Sequence, residues 1–77
     1  MITPEQISDI LARSLPGAEI TVEDMTGTAD HFQVQVMWPG FRGKGLIEQH
    51  QIVNKALAEP LETGLIHALK IKTFVAP

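Results

Sequence analysis

The chain has 77 residues, with six lysines and arginines against nine aspartates and glutamates, three histidines and no cysteine. That length makes one domain, residues 1–77, and leaves a thin stability margin, so most apolar side chains must serve a single core. A net charge of −3 argues against salt-driven attachment to nucleic acid or anionic membrane, and the missing thiols exclude disulfides, CxxC zinc or redox motifs and a cysteine nucleophile. No apolar run reaches the length of a membrane span, and the first residues lack the basic and apolar regions of a signal peptide. A cytoplasmic, reducing setting without a membrane partner is the expectation.

Thr3-Pro4-Glu5-Gln6 reads as a helix start, with Thr3 as cap, proline at the first helical position and Gln6 closing a capping box. Ile7, Ile10, Leu11 and Leu15 share one face, and Asp9 and Arg13, four apart, are placed to pair outside. Pro16-Gly17 ends that helix. Ala18 to Met25 alternates, with Ile20 and Val22 on one side and Thr21 and Glu23 on the other, which predicts a strand with one wet face. The small polar run Thr26 to Asp30 is a loop. Phe32, Val34, Val36 and Trp38 then form the inward side of a second strand, making an antiparallel hairpin with the first.

Pro39-Gly40 breaks the strand, and Phe41 anchors a single turn to the core. Gly43 to Glu59 carries the longest helical pattern: Leu46, His50, Val53 and Leu57 form an apolar stripe, which Ile47 widens. In that stripe His50 reads as a packed core histidine. Gln49 is assigned to the solvent side. Pro60 ends or kinks the helix near Glu59, and Gly64 closes the remaining turn. Leu65 to Thr73 predicts a third strand, with His67, Leu69 and Ile71 on one face and Ala68, Lys70 and Lys72 on the other. The order is αββααβ, an α+β domain. A helical crossover makes the second and third strands parallel neighbours, giving a three-stranded mixed sheet with helices packed on one face.

Parallel pairing sets His31 and His67 near each other, since both stand at strand starts. Two imidazoles are too few for structural zinc, which takes four ligands. They could complete a metal site whose other ligands come from a partner, and histidine ligation of iron–sulfur clusters is established chemistry; on spacing alone the bland reading, inert surface histidines, is the commoner one. Enzyme constellations are weak. The two serines, Ser8 and Ser14, lie on the first helix, far in sequence from any histidine, so no catalytic residue is assigned and an enzyme is not expected. Gly40-Phe41-Arg42-Gly43 matches the GxxG string of KH domains, with Arg42 and Lys44 as candidate nucleic-acid contacts. Its bland alternative is a tight turn before a helix.

Phe41-x-Gly43-Lys44-x-Leu46-x-x-x-His50-x-x-Val53 together with His67-Ala68-Leu69-x-Ile71-x-Thr73 resembles the BolA family. The capped first helix and Asp30-His31-Phe32-x-Val34 match as well, so the resemblance spans nearly the whole chain. It implies a fold similar to the type II KH arrangement. It implies a complex with a monothiol glutaredoxin bearing a Cys-Gly-Phe-Ser active site, and a 2Fe–2S cluster shared with that glutaredoxin and its glutathione. No cofactor is implied for the isolated chain, a monomer or weak homodimer. The implied role is cluster assembly or transfer, or iron and redox regulation. His67, opening the last strand, is the implied ligand. The family's second histidine or cysteine, usual in the hairpin loop, has no counterpart within Thr26 to Asp30; His31 follows immediately, beside the strand, and is the second candidate. The alternative implied function is a nucleic-acid-binding transcription regulator. Where such members carry Arg-His-Arg on the long helix, this chain has Gln49-His50-Gln51, which weakens phosphate contact. Pro60 also departs from the family's run of acidic helix formers.

Overall fold

A computed structural model describes residues 1–76. Helix α1 spans Pro4–Ser14, with the Thr3 hydroxyl accepting from the Gln6 amide and the Gln6 side chain accepting from the Thr3 amide. Strands β1 (Glu19–Asp24) and β2 (His31–Trp38) follow. A 3₁₀ turn at Pro39–Phe41, helices α2 (Leu46–Ala56) and α3 (Ala58–Glu62), and strand β3 (Ala68–Val75) complete the chain. The sheet order is β1-β2-β3. Strand β2 is central, antiparallel to β1 (Val22 opposite Val34) and parallel to β3 (His31 opposite Ala68).

The alternation of each strand decides which face is covered. Phe32, Val34 and Val36 of β2 are buried, joined from above by Ile7, Leu11 and Leu15 of α1, Val53 and Leu57 from the α2 region, and Phe41 and Ile66 from the connections. Helix α1 packs on β1 and α2 on β3, so both lie over one side of the sheet. Lys70 and Lys72 face solvent on the other side. The 3₁₀ turn is held by aromatic packing. The Phe41 ring is buried and meets Trp38 edge-on, with centroids 5.2 Å apart. The Trp38 indole donates to the Pro16 carbonyl at 2.9 Å. A Cβ at Gly40 would come within 2.5 Å of the Trp38 ring, so only glycine fits against this indole.

Four local expectations are corrected. First, the inward face of α2 is Gln49, Val53 and Leu57, not a stripe through Leu46 and His50. Leu46 and Ile47 are 62% and 77% exposed, His50 is half-buried, and Gln49 is 8% exposed. The Gln49 amide explains this: its Nε2 donates to the Lys44 carbonyl at 2.8 Å and its Oε1 accepts from the Thr73 hydroxyl at 2.5 Å. A polar side chain with both ends paired is tolerated inside. Second, α2 ends at Ala56 rather than Glu59, with Leu57 serving both as its last cap and as the cap of α3. Pro60 then falls in the first turn of α3, where no backbone donor is required. Third, β3 runs from Ala68 to Val75 instead of Leu65 to Thr73. Gly64, at φ +80°, supplies the left-handed turn before it. Fourth, Arg13 Nε donates to the Asp9 backbone carbonyl at 3.3 Å, in place of a carboxylate pair.

Candidate functional site

Parallel pairing brings the first residue of β2 beside the residues entering β3. The Asp30 carbonyl accepts from the amides of His67 (2.8 Å) and Ala68 (3.2 Å), which fixes where β3 begins. His31 and His67 are therefore neighbours, 36 positions apart in sequence, with ring centroids 6.3 Å apart and planes at 84°. His67 lies one residue before β3, and its side chain is 61% exposed; His31 is 43% exposed.

Asp30 stands between the rings. Its Oδ1 accepts from His31 Nδ1 at 2.8 Å, and its Oδ2 lies 3.3 Å from His67 Nδ1. The Thr28 hydroxyl also donates to Oδ1. These hydrogen bonds, that of Thr28 foremost and then that of His31, hold the Asp30 carboxyl below its ordinary value of 3.8, and the charges of the two imidazoles add to the effect. An ionised carboxylate can only accept, so the His31 proton sits on Nδ1. The same electrostatics favour a proton on His67 Nδ1. When the rings are neutral, Nε2 of each then carries the lone pair, and neither Nε2 has a hydrogen-bond partner among the described residues.

The hairpin loop itself is ordered by Asp24. Its Oδ1 accepts from the amides of Thr26 (3.3 Å) and Gly27 (2.9 Å), and its Oδ2 from the amide of Ala29 (2.9 Å). Ala29 is held at φ +62°, a left-handed conformation that a non-glycine residue adopts only when its surroundings impose it. His31 also lines a shallow hollow with Met25, Ala68 and Lys70, which sets apolar surface next to the imidazoles.

Among the described residues no group of three or more His, Cys, Asp or Glu side chains is arranged to hold a metal ion. Two open imidazole nitrogens beside a carboxylate already engaged at both oxygens suit another role, that of giving one or two ligands to a metal whose other ligands belong to a second molecule. His67 and His31 thus come together as the sequence predicted. Asp30 was missed. Its signal was present in the Asp30-His31 dipeptide, because parallel pairing that carries His31 to His67 carries Asp30 there too.

Arg42 and Lys44 do not join this cluster. Arg42 is exposed just after the 3₁₀ turn, while Lys44 is half-buried and its carbonyl is taken by Gln49. Within the GxxG string Phe41 is a core residue and Gly40 makes room for Trp38, so both are needed for the packing of the turn. Among the described residues no helix is long and apolar enough to cross a membrane.

Comparison with known proteins agrees with this architecture over the whole chain. Residues 6–76 match the protein family described as BolA-like protein. Protein BOLA2 of Arabidopsis thaliana is 38% identical over 78 residues, covering all of this chain and 82% of the relative. An uncharacterised protein of Rickettsia prowazekii is 37% identical over 76 residues, covering 99% and 97%. The solved structure of BolA1 from Arabidopsis thaliana superposes with a TM-score of 0.85 at 28% identity, each chain covered completely.

Proposed function

The chain belongs to the BolA-like protein family, and from that premise we propose that it pairs with a monothiol glutaredoxin and lends imidazole ligation to a bridging 2Fe–2S cluster. The glutaredoxin, through its Cys-Gly-Phe-Ser cysteine, and glutathione supply the thiolates that this chain lacks. The shared cluster supplies one-electron chemistry or a transferable iron–sulfur unit, which suits a role in cluster assembly, cluster transfer or iron and redox regulation. His67 is the principal ligand and His31 the second. The observation that carries this reading is the open His67 ring, 61% exposed, its Nδ1 turned to Asp30 and its Nε2 without a partner among the described residues. A neutral imidazole in place of a thiolate raises the potential of such a cluster. The apolar hollow beside His31 offers surface that a docked partner would cover.

The test mixes this chain with cluster-loaded monothiol glutaredoxin and records visible circular dichroism. A new spectrum is expected on mixing, lost with His67→Ala and altered with His31→Ala. A spectrum equal to that of the glutaredoxin alone, or one unchanged by His67→Ala, would overturn the assignment.

A further inference from the structure

We propose that Asp30 is the positioning residue of this site, holding both imidazoles with Nδ1 protonated so that each presents Nε2 as its donor atom. The inference deepens the metal-ligand reading above and rests on it. One residue does three things here. Its backbone carbonyl takes the amides of His67 and Ala68, which sets the start of β3. One carboxylate oxygen accepts a hydrogen bond from His31 Nδ1 at 2.8 Å, and the other faces His67 Nδ1 at 3.3 Å. A carboxylate shared this way orients two rings from a single point, and the ring that is further exposed, His67, is also the one whose backbone Asp30 grips. The Thr28 hydroxyl on Oδ1 and the Asp24-ordered loop keep the carboxylate in place. An imidazole free in water prefers its proton on Nε2, the nitrogen needed here as a lone-pair donor. Which nitrogen stays open is decided by the partner of the other.

Long-range ¹H–¹⁵N correlation spectra of the isolated chain read the tautomer directly, at about pH 8, above the ordinary imidazole range near 6.5. The native protein is expected to show Nδ1–H on both His31 and His67. In Asp30→Ala both rings should revert toward Nε2–H. Asp30→Asn gives a sharper signature, since its amide offers one accepting oxygen and one donating NH₂. One ring should keep Nδ1–H and the other should move its proton to Nε2. This near-isosteric variant keeps the backbone contacts, so it answers the question if Asp30→Ala folds poorly. Nε2–H on His67 in the native protein, or unchanged tautomers in both variants, would overturn the proposal.

A second readout is transfer of a 2Fe–2S cluster into the complex with monothiol glutaredoxin. Asp30→Ala is expected to weaken cluster retention about 10- to 100-fold. If the native chain forms no such complex, the ligand reading falls while the tautomers still judge Asp30. If it does and Asp30→Ala retains the cluster equally well, the positioning role is wrong.

Discussion

Asp24 and Asp30 show how two carboxylates at the ends of one loop take different roles. Asp24 satisfies three loop amides, so Asp24→Ala leaves those donors to water and frees Ala29 from its left-handed conformation. A loss of about 1–2 kcal/mol is expected by urea unfolding, with amide resonances shifting from Thr26 to His31. An unchanged midpoint would mean the loop holds itself. Asp30 has a pH signature. Its carboxyl is held below 3.8 by Thr28 and the imidazoles, so folding is favoured by its ionised form. The stability lead of the native chain over Asp30→Asn should be full above about pH 4 and shrink as pH falls through the lowered native value. Urea midpoints for both proteins from about pH 5 downward, below the ordinary imidazole range, check this, and a lead that grows over that range would refute it. At this scale the sequence was partly legible. Both histidines stood out as potential donors because few other side chains were available. Asp30 did not, since a carboxylate beside a histidine is common and its second partner lies 37 positions away.

Among the elements, α2 is where sequence reading and structure part. Hydrophobic spacing put Leu46 and His50 inward, but hydrophobicity cannot register a glutamine whose amide has a partner at each end. Gln49 links the turn before α2 to Thr73 of β3, rotating the helix so that Leu46 and Ile47 face water. Gln49→Ala strands the Thr73 hydroxyl and the Lys44 carbonyl and should cost about 1–3 kcal/mol. Gln49→Leu combined with Thr73→Val removes both side-chain partners and should recover much of that loss in a double-mutant cycle. Strict additivity of the two single changes would show that they do not interact. The capping box of α1 and the Phe41 anchor were readable because each is a local pattern with one physical meaning. The ends of α2 and β3 were not, since alternation continues through Leu65 to His67 while the hydrogen bonds to β2 begin only where the amides of His67 and Ala68 meet the Asp30 carbonyl.

At the scale of the whole molecule, the topology was the most legible feature. A helical crossover between two strands leaves parallel pairing as the simplest solution, and that pairing places the histidines together. The margin is small: about 0.05–0.15 kcal/mol per residue gives roughly 4–12 kcal/mol for a chain of this size. Phe32, fully buried at the centre of the core, should cost about 3–5 kcal/mol when cut to alanine, a large share of that margin, read as a lowered urea midpoint by circular dichroism. Phe74, half exposed on the uncovered side of the sheet, should tolerate serine within about 0.5 kcal/mol. Equal losses at the two positions would mean that the uncovered face is buried in solution.

Because β2 and β3 run side by side in the same direction, the imidazole pair is joined only when the final strand seats against the middle one. During synthesis His31 emerges alone and stays so until the strand beginning at Ala68 has been made and has found its register. The meeting of the two rings is therefore itself a certificate that the chain has finished folding.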